Sequence, residues 1–446
     1  MWQIRHICFY FPFEKMTLFG SISLGNNLQI VGEVLNTLNK WLLGIWIFSI
    51  ILFVAVFLNL EKVHPIIEVL QGQGVNEEAS VIHTESKVID VSVEPESEVK
   101  LSQKNIESEP KSEPKPEPKP EPEPKPEIVK ESYRFAMLGD VLLHLRLAKY
   151  KDFSSSFKVV TPMLQKYDYL IANQESPPVG NKYPLSGFPQ FSSPPHIIRD
   201  IQNAGVDMVT IANNHIVDKG EGGVRTVFEN LAAYNMPYVG VYQSSEDANT
   251  PRIINLGSIK IGMLAYTYGT NGLYLPKGSP YIINYFDEAK ITADIKTMKK
   301  QVDVVAVSMH WGSEYVYKAN DYQRHLTNVL NKAGADIIFG THPHVIQPYE
   351  EIVNGEGQVT RVFYSIGNFF STILTIPNTM IGGVASFEIT KEGDQITIDK
   401  PQFDATSVLK DADGIYRIYP LKDVESRSVK NLNWVKEILG EKVTVY

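Results

Sequence analysis

Five short segments of this chain share one pattern, in which an apolar, β-prone run ends in a tight turn that carries Asp, Glu, Asn or His. The segments are Met137–Asp140, Ile171–Glu175, Ile211–His215, Val307–Gly312 and Phe339–His344. If these runs are neighbouring strands, their polar side chains meet at one edge of a sheet, which is where open α/β sheets bind ligands. The pattern therefore predicts a metal-binding, hydrolase-like site at the carboxyl ends of several strands.

The chain from residue 133 onward alternates short β-branched runs with amphipathic segments, which predicts an α/β domain. Two helices are predicted at Ala289–Lys300 and Tyr322–Ala333, the second ending at Gly334. The predicted strands are Phe135–Leu138, Tyr169–Ala172, Met208–Ala212, Ile261–Tyr266, Val304–Met309, Ile337–Phe339 and Val362–Ile366.

The tail, residues 375–446, is predicted to add accessory strands and a helix to this domain (133–374). The runs Gly383–Thr390 and Gln395–Lys400 flank a turn signal at Lys391–Asp394, which indicates a hairpin. Val429–Leu439 is the helix candidate.

Residues 41–60 form an uncharged apolar run that is long enough to cross a hydrocarbon core of roughly 30 Å. No small-residue cleavage pattern follows, so we expect a retained single-pass membrane anchor; a buried core helix is the alternative. Basic residues precede the run and acidic residues follow it, which favours a cytoplasmic segment 1–40 and a globular part outside the cytoplasm. Met16 is an alternative start to Met1.

Residues 61–132 are predicted to be a disordered linker, because alternating Pro, Glu and Lys cannot bury enough apolar surface to fold. The whole chain has a net charge of −9, which argues against a nucleic-acid partner. Its single cysteine, Cys8, precedes the apolar run, so the globular part has no thiol to bind a metal or to act as a nucleophile.

The acidic and amide residues at the strand ends each have an alternative interpretation. Asp140 can bind a metal or cap a helix. Asn173 and Glu175 can belong to a surface loop. The group Asn213, Asn214 and His215, followed by Asp218, can form an Asx turn, although its oxygen and nitrogen donors are also ordinary ligands for borderline metals.

The histidines strengthen the metal hypothesis, because four of the ten in the chain stand at strand ends: His215, His310, His342 and His344. His342 and His344, one residue apart, would project to the same side of an extended segment and bind one metal or two neighbouring ones. Glu314 follows His310 closely. Asn368 either faces the site or forms a turn with Gly367.

Taken together these motifs resemble the CapA family of capsule or poly-γ-glutamate biosynthesis proteins. The resemblance covers about residues 135–370 and implies a four-layer α/β/β/α sandwich similar to calcineurin-like metallophosphatases. The matching motifs are Gly139-Asp140, Asn173-x-Glu175, Ala212-Asn213-Asn214-His215-x-x-Asp218-x-Gly220, His310-Trp311-Gly312-x-Glu314-Tyr315, Gly340-x-His342-Pro343-His344-Val345 and Tyr364-Ser365-x-Gly367-Asn368-Phe369.

By this resemblance Asp140 is the first acidic ligand, Glu175 the bridging carboxylate and His215 the general acid or oxyanion-orienting group. The remaining metal ligands are Asn214, His310, His342 and His344. Leu142 stands where metallophosphatases carry a histidine. The accessory candidates are His144, Asn173, Asn213, Asp218, Glu314 and Asn368.

The mixed nitrogen and oxygen ligands predict one or two divalent ions of Mn, Fe or Zn. The expected function is a membrane-anchored, extracytoplasmic protein of capsule or poly-γ-glutamate synthesis or export with a metal-dependent, phosphoesterase-like hydrolase site. The expected partners are the membrane, an anionic polymer such as poly-γ-glutamate and other capsule synthesis subunits. The alternative, favoured by the missing histidine, is a non-catalytic polymer-binding or scaffold subunit.

Overall fold

A computed structural model describes residues 130–446 of the chain. The predicted amino-terminal segment (1–40), the membrane anchor (41–60) and the linker up to residue 129 lie outside the described residues. Within 130–446, no helix has both the length and the hydropathy needed to cross a bilayer. Lys130–Ser132, which the sequence assigns to the linker, instead begins the first strand, because its backbone pairs with Thr390–Glu392.

The strands of the described region range from two to sixteen residues in length. In chain order they are β1 (Lys130–Val141), β2 (Tyr169–Gln174), β3 (Met208–Thr210), β4 (Tyr238–Val239), β5 (Val241–Tyr242), β6 (Ile253–Leu256), β7 (Ile259–Thr267), β8 (Ile282–Ile283), β9 (Val304–His310), β10 (Ile337–Thr341), β11 (Ile346–Val353), β12 (Val359–Ile366), β13 (Asn368–Phe370), β14 (Ile381–Glu392), β15 (Gln395–Lys410), β16 (Tyr416–Pro420) and β17 (Thr444–Val445).

The α-helices lie between these strands. They are α1 (Leu145–Ala148), α2 (Ser154–Phe157), α3 (Thr161–Leu164), α4 (His196–Ala204), α5 (Gly220–Ala233), α6 (Ser245–Asn249), α7 (Glu288–Lys299), α8 (Asp321–Ala333) and α9 (Leu432–Leu439). Short 3-10 turns occur at Pro377–Met380 and Leu421–Asp423.

Two large sheets organise the fold. The larger has the strand order β16-β15-β14-β1-β2-β3-β4, with β13 also paired to β1 and β17 to β15. The smaller has the order β11-β12-β10-β9-β7-β6. The strands β1 to β4 are parallel neighbours, as are β7, β9, β10 and β12, so each sheet has a parallel part whose carboxyl ends share one edge.

The two sheets pack against each other through alternate side chains of their strands. Phe339 of β10 lies 6.0 Å from Phe135 of β1 and 6.0 Å from Phe387 of β14, measured between ring centroids. Phe363 of β12 lies 5.6 Å from Phe387. Because neighbouring residues of a strand point to opposite faces, this aromatic layer leaves the other face of each sheet to the helices.

Helices cover both outer faces. Ile291 of α7 and Leu326 and Leu330 of α8 pack with Val305 and Val307 of β9 on the smaller sheet. On the larger sheet, α4 joins β2 to β3 and α5 joins β3 to β4; such crossovers are right-handed, so both helices lie on one face. The predicted α/β architecture is thus confirmed, with helices outside two packed sheets.

Observed element boundaries follow local chemistry. Helix α8 begins at a capping box formed by Asn320 and Gln323, and it ends at Ala333, just before Gly334, whose φ of +104° suits glycine. Strand β3 ends at Thr210, two residues before its predicted end. The chain turns early there because the amide of Asn213 folds back to the Ile211 carbonyl at 3.1 Å.

The carboxyl-terminal region is more central than the sequence suggests. The predicted hairpin is confirmed as β14 and β15, but β14 pairs with β1 over nine residues and so lies in the middle of the larger sheet. This region therefore completes the sheet that positions Asp140, whereas the sequence predicted accessory strands. Helix α9 starts at Leu432, because the Asn431 side chain accepts the Trp434 amide as an N-cap.

Candidate metal centre

Five of the predicted ligands converge at the carboxyl ends of β1, β2, β9 and β10. Glu175, His342 and His344 form one group in which donor atoms lie within 4.8 Å of one another, and Asp140, Glu175 and His310 form a second. Glu175 Oε1 lies 3.6 Å from His344 Nε2 and 3.8 Å from His310 Nε2. All five residues are at most 4% exposed. Glu175 belongs to both groups, which is the arrangement expected of a bridging carboxylate.

The backbone at the end of β1 holds Asp140 against the neighbouring strands. Its amide donates to the Gly367 carbonyl at 2.9 Å, and the Glu175 amide donates to the Val141 carbonyl at 3.1 Å. At Gly139 a Cβ atom would lie 1.9 Å from the Gly367 carbonyl oxygen. The glycine before Asp140 therefore permits the close approach of two backbones that places the carboxylate.

The loop after β10 differs from the extended segment that the sequence predicted. His342 has a φ of +93° and His344 a φ of +59°, so both residues occupy the left-handed region. The chain turns because it wraps around Asp140, whose Oδ2 accepts the His342 amide at 3.3 Å. The two imidazole rings still lie near each other, with centroids 5.9 Å apart.

Asp140 orients other groups of the site. Its Oδ1 accepts the Asn173 side-chain amide at 2.8 Å, and its Oδ2 lies 3.1 Å from His344 Nδ1. Asn368 Oδ1 lies 3.0 Å from the same nitrogen, so Asn368 faces the site. With Nδ1–H donated to these oxygens, the lone pair of His344 Nε2 points to Glu175, as in carboxylate–histidine–metal arrangements.

His310 is held by two side chains, one on each ring nitrogen. Its Nδ1 lies 2.9 Å from Thr341 Oγ1, and its Nε2 lies 2.9 Å from Asn214 Oδ1. The Asn214 amide nitrogen donates to Asn271 Oδ1 at 3.3 Å. Sequence reasoning did not assign roles to Thr341, which stands inside the Gly340–His344 motif, or to Asn271, for which the chain offers no signal.

Tyr268, which follows β7, was also missed because a single aromatic residue in a loop carries no pattern. Its ring lies 4.7 Å from that of His342 and stacks on His310 at 6.3 Å. The side chain is 42% exposed, so it covers the two imidazoles on the solvent side.

Burial and neighbouring groups shift the pKa values of four of the ligands. It holds the pKa of His310 and of His342 well below the usual range, with neighbouring imidazoles adding to the effect. Burial also lowers the pKa of His344, but the hydrogen bond and charge of Asp140 outweigh it and leave that pKa raised. Burial, followed by the charge of Asp140, raises the pKa of Glu175 well above its usual value.

These residues fit a divalent metal. Glu175 Oε1 and His342 Nδ1 are buried and have no hydrogen-bond partner among the described residues. A cation bound between them would satisfy both atoms and would favour the ionised form of Glu175. Imidazole, amide and carboxylate groups are all ordinary donors to divalent metals.

His215 lies beside the ligand groups and is held by its own acid. Its Nδ1 is 2.8 Å from Asp218 Oδ2, which also accepts the Phe191 amide at 2.6 Å. The Asn213 side chain accepts the His215 amide at 3.1 Å and donates to the Gln174 carbonyl at 3.0 Å. This arrangement leaves Nε2 of His215 as the ring nitrogen available to a ligand.

A cleft of about 260 Å³ opens beside the centre, and both Asn214 and His344 line it. His144 also lines the cleft, but it belongs to neither ligand group of the described residues, and its Nδ1 lies 3.4 Å from Ser371 Oγ. Burial lowers the pKa of His144 to about 4. Leu142 is 2% exposed and adds only apolar surface.

Comparison with known proteins finds a match to the family described as bacterial capsule synthesis protein PGA_cap over residues 134–372. The chain is 31% identical over 245 residues to the PGA biosynthesis protein CapA of Bacillus subtilis, covering 52% of this chain and 62% of that protein. It is 27% identical over 250 residues to the capsule biosynthesis protein CapA of Bacillus anthracis, covering 54% and 60%. The chain thus spans less than two thirds of the length of these relatives.

Among solved structures, the chain is similar to the calcineurin-like phosphoesterase YfkN of Bacillus subtilis. The TM-score is 0.38 and the identity 16%, over 62% of this chain and 91% of that one.

Proposed function

Because this chain belongs to the bacterial capsule synthesis family PGA_cap, we propose that it is a metal-dependent hydrolase of capsule polymer synthesis or export. The observation that carries the proposal is the pair of buried ligand groups that share Glu175. The reaction class is hydrolysis at a phosphoryl or acyl centre, of the phosphoesterase type. The polymer is an anionic one such as poly-γ-glutamate, and other capsule synthesis subunits are the partners.

Two ions would be held around the shared carboxylate. His342 and His344 with Glu175 would hold one ion, and Asp140 and His310 with Glu175 would hold the other. Divalent ions bound there supply Lewis-acid polarisation of a phosphoryl or acyl oxygen.

His215 is the proposed proton-transfer residue. Asp218 holds its Nδ1–H, so Nε2 can accept a proton or donate one to a group in the cleft. Phe191 packs edge-on against the imidazole at 4.6 Å and limits its rotation. His215 is 4% exposed, and this apolar contact excludes water from one side of the ring.

Residues 41–60 are proposed to anchor the chain in the cell membrane as a single span, with the hydrolase part outside the cytoplasm. The support is the uncharged apolar run and the charge difference across it. We expect the full chain to resist carbonate extraction from membranes. We also expect the 130–446 region to be sensitive to protease in intact spheroplasts. Release by carbonate would contradict the anchor.

The hydrolase proposal is tested on the full chain in detergent. After loading with Mn²⁺ or Zn²⁺, we expect near-stoichiometric metal and turnover of a generic phosphomonoester, a phosphodiester or a γ-glutamyl peptide. His215→Gln is expected to keep the metal and lose turnover. Bound metal without turnover of any of these substrates would contradict the hydrolase.

A non-catalytic, polymer-binding role is the second candidate, and Leu142 favours it. This buried leucine supplies no donor where metallophosphatases carry a histidine, so one ion would have one ligand fewer. This role would be supported if the wild-type chain shows no turnover and if His215→Gln binds poly-γ-glutamate as tightly as the wild type does.

A further inference from the structure

Glu314 lines the cleft and lies in a turn whose backbone conformation is restrained. Gly312 has a φ of +90° and Tyr315 a φ of +64°, so the turn uses two left-handed residues within four positions. The Tyr315 amide donates to the Pro343 carbonyl at 2.8 Å. This bond joins the turn to the His342–His344 loop, so the backbone at Glu314 is held beside that loop.

Glu314 lines the same cleft as Asn214, His215 and His344. The ring centroid of the next residue, Tyr315, lies 6.1 Å from that of His344. Glu314 belongs to neither ligand group found among the described residues. The side chain is exposed and able to meet a ligand.

The cleft offers an anionic ligand no cationic side chain. None of the twelve described residues that line it is Lys or Arg. Two cations on adjoining segments are directed elsewhere: Lys219 Nζ donates to the Gln190 carbonyl at 3.2 Å, and Arg146 Nη1 to the Tyr416 hydroxyl at 3.4 Å. The proposed ions can hold one anionic group of a ligand. A second anionic group in the cleft would meet the negative charge of Glu314 and would find no cationic side chain among the lining residues.

Part of the cleft wall is apolar. It is formed by Phe188, Pro189, Phe191 and Ile373. Phe188 is 77% exposed, which leaves its ring available to a ligand. Such a wall suits a short run of methylene groups between two charged ends.

We propose that Glu314 selects a ligand with a primary ammonium group, and that the cleft takes the amino end of an otherwise acidic chain. The ammonium pairs with Glu314, the adjoining aliphatic carbons lie on Phe188, and a carbonyl or carboxylate oxygen faces the ions that Glu175 and the histidines would hold. The interior of such a chain carries a negative charge on every unit and offers no group to Glu314. This inference rests on the proposed function and names the part of the polymer that its site accepts.

The test compares two probes on the full chain in detergent, saturated with Mn²⁺. The probes are a γ-linked tripeptide of glutamate with a free amino group and its N-acetyl form, and binding is measured by calorimetry. We expect the free-amino peptide to bind about threefold to fivefold more tightly, the value of a partly exposed ion pair. Glu314→Gln should abolish this preference and leave the metal content unchanged.

Glu356→Gln is the matched control, because Glu356 is exposed in the β11–β12 turn, at the opposite end of these strands from the centre. It should retain the preference for the free amino group. The assignment is overturned if the wild-type chain binds the two peptides with equal affinity or binds neither of them. It is also overturned if Glu314→Gln retains the preference for the free amino group. Loss of metal in Glu314→Gln also overturns it, by making Glu314 a ligand. A wild-type chain that binds no metal refutes the proposed function, and this inference with it.

Discussion

A fully buried carboxylate remains ionised only when a cation or several N–H groups face it. Glu175 has one such donor, the Asn173 amide at 3.3 Å from Oε2, and its Oε1 has none among the described residues. His342 likewise has a buried nitrogen without a partner. At the scale of single residues, these two unsatisfied atoms are the strongest argument that the centre is built to bind a cation.

Removing one imidazole should therefore weaken metal binding. We expect His342→Ala to reduce the affinity for Mn²⁺ or Zn²⁺ by about 100-fold, because a ligand contributes at least as much as the groups that orient it. Equilibrium dialysis with metal analysis measures the change. His325→Ala is the control, since His325 is an exposed histidine paired with Glu288. Equal affinity in the two variants would contradict the ligand role.

The pair His215 and Asp218 makes a separate prediction. Asp218→Asn keeps the volume of the side chain but removes the negative charge that holds His215 Nδ1–H. We expect kcat to fall by about 100-fold while the metal content remains that of the wild type. A loss of metal equal to the loss of rate would show that Asp218 supports the centre and not the proton transfer.

At the scale of elements, the backbones of neighbouring strands approach each other closely at their carboxyl ends. This close approach limits which residue types can stand just before a metal-binding residue in the chain. A Cβ atom on Gly340 would lie 1.9 Å from the Tyr364 carbonyl oxygen and 2.6 Å from Trp311 Nε1. Trp311 itself donates to that carbonyl at 2.9 Å. The motif glycine thus allows β10 and β12 to pack tightly enough for His342 to reach Glu175.

Gly340→Ala should consequently destabilise the fold by about 3 kcal/mol, a typical cost of overpacking a buried site. Urea denaturation followed by tryptophan fluorescence measures the free energy of unfolding. Gly355→Ala is the matched control, because a Cβ atom there meets nothing within 4 Å, and its effect should stay within about 0.5 kcal/mol. Equal stability of both variants would refute the packing argument.

The strands and their polar ends could be predicted because β-branched runs and ligand residues are local signals. The sequence indicated Glu175, His310 and the His342–His344 pair on that basis, and the structure brings them together. The left-handed conformation of the histidine pair was not predictable, since it depends on contacts with Asp140, about 200 residues away in the chain. The pairing of β14 with β1 was missed for the same reason.

At the scale of the whole molecule, both sheets contribute ligands, Asp140 and Glu175 from the larger and the histidines from the smaller. A cation bound by both sheets should stabilise the fold, since it binds the folded state alone. At a metal concentration of 100 times Kd the gain is about 2.7 kcal/mol, so a chelator should lower Tm by several degrees. An unchanged Tm on metal addition and removal would contradict a centre shared by the sheets.

The central claim is that residues from four distant segments form one metal centre around Glu175, and the metal content of Glu175→Gln tests it most directly. The substitution preserves shape and removes the shared charge. Reconstituted wild-type chain and Glu356→Gln should each hold about two ions per chain, and Glu175→Gln close to none. A metal content in Glu175→Gln equal to that of the wild type, or a wild-type chain without metal, would contradict the account.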